Sequence, residues 1–219
     1  MEFKIENTQV FGLERSAIAS GNPMRTEIDC LDEEGQCKKK DFKRLEKLGT
    51  TGVGEGHDQA LTGCIVQFDL YAPLYMWKQI QRYHFIDYIS SQSTMHRLLS
   101  FDVKSQCTSD TDPVILERYQ QLIDEYWKFT TELESGLVPQ SVEYMKQMEQ
   151  EKKKKWRTLV ASLPSGFVLG ATMTTNYRQL KTIYYQRKNH KLNEWKEFCK
   201  WIEKLPHSDL FIDTIILDN

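Results

Sequence analysis

A chain of 219 residues can bury a core without disulfide or metal staples, which excludes a stapled mini-protein. Hydrophobic residues make up 40%, charged residues 27% and aromatics 11%, a composition that excludes a disordered polyelectrolyte and suits a folded globule. Lys and Arg number 29 against 31 Asp and Glu, so a net charge of −2 provides no global field for nucleic acid or an anionic membrane, and any anion site must be local.

The N-terminal stretch MEFKIENTQVFGLERSA lacks a basic flank followed by an apolar core. No apolar stretch approaches the roughly 20 residues of a membrane helix. The expectation is a protein with no membrane partner that stays in the cytoplasm. Five cysteines, Cys30, Cys37, Cys64, Cys107 and Cys199, are odd in number and scattered without a C-x-x-C, which predicts reduced thiols and no metal site.

Residues 1–12 alternate loosely and predict a short strand, followed by a brief helix over 12–20. Residues 21–56 are polar and turn-rich and read as a flexible insertion. Within it, Phe42, Leu45 and Leu48 fall at helical spacing, and the tract Gly49-Thr-Thr-Gly-Val-Gly-Glu-Gly56 breaks any regular element. Cys64 to Leu70 is a strand candidate. Pro73 is expected to start a helix running to about Tyr83, because proline at the first helical position loses no needed N–H. From His84 to Ser93, β-branched and aromatic residues mix with a Ser/Gln cluster, and a short strand or an irregular turn fits better than continued helix.

Pro113 opens the clearest helix, with Leu116, Tyr119, Leu122, Ile123, Tyr126, Phe129 and Leu133 on one apolar face. A second long helix spans Ser141 to about Leu163 and carries four consecutive lysines, read as a solvated face. Phe167 to Thr175 predicts a strand leading to Asn176, which can cap the helix that follows. Two further helices cover about 177–188 and 193–204. The whole predicts a helix-rich α+β single domain with a small, mostly antiparallel sheet.

Three groups of side chains have the chemistry of a ligand site. Asn176, Leu180, Ile183 and Arg187 fall on nearly one face of their helix, so a guanidinium ends an apolar stripe. An always-charged planar fork there calls for an anion, and a phosphate, a carboxylate of the chain, or a stem reaching out to water all meet the requirement. Arg82, Tyr83 and His84 put guanidinium, phenol and imidazole within one turn, a donor-rich cluster suited to a polyanion or a flavin edge, and equally to an ordinary helix C-terminus. Ser90-Ser-Gln-Ser-Thr94 followed by Met95-His-Arg97 supplies hydroxyls and cations, as ordinary loops also do. The Gly52-x-Gly54-x-Gly56 tract lacks the spacing of a phosphate loop. There is no H-E-x-x-H, no G-x-S-x-G and no local Cys nucleophile signature, so no catalytic residue is assigned.

The order Phe68-Asp-Leu-Tyr-Ala-Pro-Leu-Tyr-Met-Trp-Lys-Gln-Ile-Gln-Arg82-Tyr-His84, a Ser-rich turn, then Thr-Met-Thr-Thr-Asn176-Tyr-Arg178-Gln-Leu and Arg187 resembles the flavin-dependent thymidylate synthases. The similarity runs over roughly residues 60–200 in element order and is concentrated in these two blocks. That family carries an Arg-His-Arg, x-x-Ser-x-Asn-Glu-x-Ser-x-Arg signature whose first part contacts flavin and whose second holds deoxyuridylate. In this chain Arg82 matches the first arginine, Tyr83 stands in place of the histidine and His84 in place of the second arginine. Without gaps, Ser90 replaces the glutamate, Gln92 the serine and Thr94 the last arginine, while a shift of a few residues brings Ser93 and His96 or Arg97 to those places. In the second block Asn176 falls on the family's flavin-contacting asparagine and Arg187 on the arginine that reaches the nucleotide.

The resemblance implies an α+β subunit of a homotetramer that binds FAD and a pyrimidine nucleotide such as dUMP. It implies transfer of a one-carbon unit from methylenetetrahydrofolate to C5 of the pyrimidine, with hydride from FAD that NADPH keeps reduced and with no cysteine nucleophile. It assigns Arg82, Tyr83, His84 and Asn176 to the cofactor and Ser90, Gln92, Ser93, His96, Arg97 and Arg187 to the substrate. The departures from the signature leave two alternatives beside the enzyme: a nucleotide-binding homologue without activity, and a helical interaction protein that keeps only the fold.

Overall fold

The computed structural model describes residues 1–28, 39–135 and 141–212. Cys30 and Cys37 lie outside the described residues. In chain order the elements are β1 (Lys4–Phe11), α1 (Leu13–Ala19), α2 (Lys39–Gly49), β2 (Ile65–Pro73), α3 (Leu74–Ile80), β3 (Asp87–Ser91), α4 (Thr94–Arg97), α5 (Val103–Gln106), α6 (Pro113–Glu134), α7 (Val142–Ala161), β4 (Val168–Asn176), α8 (Tyr177–Arg187) and α9 (Asn193–Glu203). The four strands form one antiparallel sheet in the order β1-β2-β4-β3, so the fold is helix-rich α+β as expected.

Burial explains that strand order. Val66, Phe68, Leu70 and Ala72 of β2 are buried on alternate positions, as are Ala171, Met173 and Thr175 of β4, the patterning of central strands. All five residues of β3 are exposed and β1 is largely so, and both sit at the edges. Between β1 and α1, Gly12 takes φ 77°, and a Cβ there would meet the Gly63 carbonyl oxygen at 2.4 Å, so the turn requires glycine.

Two compact units divide the chain: residues 1–3, 71–77 and 91–170 form one, and residues 4–70, 78–90 and 171 onward the other. In the first, Leu98, Val103, Tyr119, Ile123, Leu159 and Phe167 form a buried cluster beneath α6 and α7. Asp112 accepts a hydrogen bond from the Val114 N–H at 2.8 Å and Ser141 accepts one from the Tyr144 N–H at 3.3 Å, so both long helices begin on the caps that Pro113 and Ser141 announce. Of the four lysines of α7 only Lys153 and Lys154 are exposed as expected, whereas Lys152 and Lys155 are half-buried against α6, Lys152 pairing with Glu134 and Lys155 sitting 5.5 Å from the Phe129 ring centre, because consecutive helical residues turn about 100° apart and cannot share one face. In the second unit an aromatic chain of Phe68, Phe198, Trp201 and Trp195 packs α9 against β2, with successive ring centres 4.5–6.1 Å apart.

Three expectations change. Pro73 ends β2 instead of opening a helix, because the next two N–H groups, of Leu74 and Tyr75, donate to the Phe167 and Ser165 carbonyls at 3.0 and 3.1 Å and hold the chain extended up to the proline. Helix α3 runs only from Leu74 to Ile80, and Arg82, Tyr83 and His84 fall in a tight turn in which the Arg82 and Tyr83 N–H groups reach back three residues, with Phe85 at φ 59° closing it. Within the polar 21–56 segment, residues 39–49 form a regular helix with Leu45 fully buried, consistent with its helical spacing. The segment after His84, open between strand and turn, resolves as turn followed by strand β3.

Candidate functional site

Helix α8 places the chemistry of the second unit. Asn176 caps it, its Oδ1 accepting from the Gln179 N–H at 2.9 Å, while Tyr177, Leu180, Ile183 and Tyr184 face the core. The Tyr177 hydroxyl donates to the Pro206 carbonyl, tying α8 to the chain after α9. The cap and Arg187 are eleven positions apart, about 16 Å along the axis.

At the start of α8 an open cleft of about 530 Å³ is lined by Asn176, Arg178, Gln179 and Thr182 from the helix, by Val53, Gly54, Asp58, Gln59 and Thr62, and by Phe85. Its volume lies within the range of small-molecule sites. Beneath it, Asp58 accepts from Arg178 Nε at 2.9 Å on one oxygen and from Lys181 Nζ at 2.9 Å on the other. Lys181 is 1% exposed and also donates to the Thr51 carbonyl, while the Arg178 side chain remains 36% exposed. Burial tends to raise the Asp58 pKa, but the hydrogen bonds and charges of Lys181 and Arg178 outweigh it and hold the carboxyl below its ordinary value. The terminal nitrogens of Arg178 make no hydrogen bond among the described residues.

At the other end of α8, Arg187 is held by rings and neutral groups. Its Nε donates to the Tyr83 hydroxyl at 2.7 Å, and that hydroxyl donates to Gln186 Oε1 at 3.1 Å. The guanidinium carbon lies 4.6 Å from the Trp195 ring centre and 5.4 Å from that of Tyr83, both cation–π distances. Gln79 Oε1 receives the Trp195 indole N–H at 2.9 Å and Arg187 Nη1 at 3.4 Å. No ion pair among the described residues includes Arg187. His190 is nearby, its pKa lowered first by burial and then by the Arg187 charge, and its Nδ1 accepts from the Leu192 N–H at 3.1 Å.

The residues singled out in the sequence thus separate. Tyr83 and Arg187, 104 positions apart, are brought into contact. Arg82 and His84 are exposed in the turn and their side chains carry no hydrogen bond or ion pair among the described residues. Asn176 lines the cleft at the head of α8 and Arg187 does not, so the two share a helix but not that cavity. Ser90 is exposed on edge strand β3. In the other compact unit, the Gln92 side chain accepts from the Gly170 N–H at 2.8 Å and Ser93 caps α4 by accepting from the His96 N–H at 3.3 Å. His96 and Arg97 are exposed on that short helix.

Asp58, Lys181, Gln79 and Trp195 were not singled out from the sequence. Lys181 did carry a signal: it interrupts the apolar stripe of Tyr177, Leu180 and Tyr184, and a lysine on a buried stripe demands a carboxylate. Which of 31 acidic residues would supply it, 123 positions away, was not readable. Cys64, Cys107 and Cys199 are buried and free, and burial pushes all three thiols up, Cys199 to about 12, so none is a thiolate nucleophile. Among the described residues no cluster of His, Cys, Asp and Glu could hold a metal ion, and no helix is long and apolar enough to cross a membrane.

No family model matches the sequence, and no curated protein matches it. Solved structures do. A flavin-dependent thymidylate synthase, ThyX, from Helicobacter pylori complexed with FAD and dUMP is 16% identical, with 95% of this chain and 97% of that one covered and a TM-score of 0.58. Another structure of Helicobacter pylori ThyX with FAD and dUMP is 13% identical, with both chains fully covered and a TM-score of 0.62. At these identities the likeness is one of fold, and it runs the whole length of both chains.

Proposed function

We propose that this protein binds a flavin, FAD, and a pyrimidine deoxynucleotide of the dUMP type, and that it works as a divergent flavin-dependent thymidylate synthase. The observation that carries the reading is Arg187: a cation held between Trp195 and Tyr83, bonded only to neutral oxygens, on a fold whose neighbours hold FAD and dUMP. Aromatic faces orient a guanidinium without neutralising it, so its outer nitrogens keep full charge for a phosphate or a pyrimidine carbonyl.

The residues present fit the cofactor as well. Arg178 offers unbonded terminal nitrogens to the cleft, where the Asn176 amide nitrogen, Gln179, Thr62 and Thr182 add neutral polar groups, a donor set suited to an anionic, hydroxyl-bearing ligand. In this reading Asn176 and Arg178 hold the flavin nucleotide, Arg82 and His84 reach it from the turn, and Arg187 holds the pyrimidine nucleotide, with Ser90 as a further substrate contact. Reduced flavin supplies the hydride when bound. The chain's part is to bind, orient and exclude water, with methylenetetrahydrofolate as one-carbon donor, NADPH as reductant and a homotetramer as the assembly.

One observation favours a binding protein without turnover: Gln92 and Ser93 are engaged with backbone groups and the Tyr83 phenol is engaged by Arg187. Incubation with FAD, dUMP, methylenetetrahydrofolate and NADPH separates the two readings by whether dTMP forms. For binding itself, calorimetric titration of dUMP into wild type and Arg187→Ala should show affinity weakened tenfold or more in the variant; an unchanged Kd removes Arg187 from the site. Protein that neither takes up FAD, read by absorbance, nor is thermally stabilised by it sinks the flavin assignment.

A further inference from the structure

Beneath the cleft, Lys181 is an ammonium group sealed from water. Taking a charge out of water costs several kcal/mol, so such a lysine persists only where a carboxylate and further hydrogen bonds compensate it. Asp58 and the Thr51 carbonyl supply both. The consequence extends beyond the pair. Asp58 uses its second oxygen on Arg178 Nε, the one donor of that guanidinium that points away from its terminal fork. The Thr51 carbonyl belongs to the glycine tract that places Val53 and Gly54 on the cleft wall, with Gly54 at φ 96° and Gly56 at φ 81°. Such a tract is inherently loose, since glycine loses the most freedom on ordering.

We propose that Asp58 and Lys181 form a buried positioning clamp, in which Asp58 aims Arg178 into the cleft while Lys181 ties the 51–56 glycine tract down as its wall. The inference rests on the reading of this cleft as the flavin nucleotide site and adds to it the residues that pre-organise it. Lys181 lies outside the cleft lining, and Asp58, although it lines the floor, spends both carboxylate oxygens on Arg178 and Lys181 and leaves the ligand to the arginine. Lys181 fixes Asp58, Asp58 fixes the guanidinium plane, and the ligand meets an arginine whose orientation is already set, so less freedom is lost on binding. The excess charge also has a sign: two cations on one carboxylate leave the floor of the cleft positive, as an anionic ligand requires.

A double-mutant cycle on FAD affinity tests the clamp. Asp58→Asn should weaken FAD binding about tenfold in the wild-type background and less than twofold in the Arg178→Ala background, because an aiming residue matters only while there is an arginine to aim. Equal losses in both backgrounds would mean that Asp58 acts only through general stability, and would overturn the clamp. If Asp58→Asn does not fold, Asp58→Glu, which keeps the charge and displaces it, is read in the same cycle with the same criterion. A second measurement needs no ligand: hydrogen exchange over residues 50–56 should be at least tenfold faster in Lys181→Met than in wild type, and unchanged exchange refutes the tether. A wild-type chain that takes up no FAD defeats the functional reading alone. Arg178 is then followed by the Nε–H signal in arginine-labelled protein, which should be slow to exchange in wild type and fast in the Asp58 variant; fast exchange in both defeats the clamp.

Discussion

The two ends of α8 each present an arginine, and each holds it by a different physics. Arg178 is fixed by a buried carboxylate that is itself shared with a buried lysine, whereas Arg187 is fixed by two aromatic faces, a phenol and an amide. An ion pair orients a guanidinium at the cost of part of its field, and the extra lysine at the Asp58 end restores the positive excess. Aromatic faces orient it and leave the field intact. The same residue type, nine positions apart on one helix, is thereby oriented in two ways.

Breaking the ionic end should have the largest effect. Asp58→Ala leaves Lys181 buried without its counter-charge, and the expected loss is about 3–5 kcal/mol, the cost of orphaning one member of a buried pair, read as a lower midpoint in urea unfolding. A loss below about 1 kcal/mol would mean that Lys181 finds water or another partner and that the ionic end is open to solvent. At the aromatic end, Gln79→Leu deprives the fully buried Trp195 of its indole acceptor and Arg187 of a neutral contact, at a cost of about 1–3 kcal/mol. The contrast sharpens if dUMP affinity falls with it, since the ring that carries Arg187 would then have moved.

Asn176→Ala is expected to cost about 1 kcal/mol through loss of the α8 cap. Comparison with Asn176→Asp, which keeps the cap and removes the amide donor, separates its two roles: FAD affinity that falls in both variants supports a ligand contact, and affinity kept in the aspartate variant assigns Asn176 to the cap alone. The smallest effect is a pH dependence. His190 is harder to protonate folded than unfolded, so the unfolded chain binds more protons as pH falls below about 6.5, and stability should decline there. His190→Gln should flatten that part of the stability profile, and an identical slope in the variant would show that His190 contributes nothing to it.

Much of this architecture is legible along the chain. Pro113 with Asp112 before it, Ser141, and the Asn176 cap each mark a helix start that the structure contains, because capping and proline geometry act within three or four residues. The apolar alternation of residues 65–72 marks a central strand for the same local reason. Pro73 misleads because its place was decided by carbonyls at 165 and 167, more than ninety residues away, which keep it in the strand. The candidate site divides along the same line. Arg187 and Asn176 are visible from their spacing, while Asp58, Trp195 and Gln79, which decide what those side chains do, enter from other elements.

The sequence by itself determined where helices α6, α7 and α8 begin, that the chain is a helix-rich α+β fold, and that Arg187 closes an apolar stripe, since these follow from periodicity and from groups within one or two turns of each other. Only the tertiary structure decided that this arginine rests on rings while Arg178 rests on a carboxylate. Cation–π contacts and buried ion pairs join residues separated by up to 123 positions, and no local pattern records which distant partner a side chain will meet once the core has closed around it.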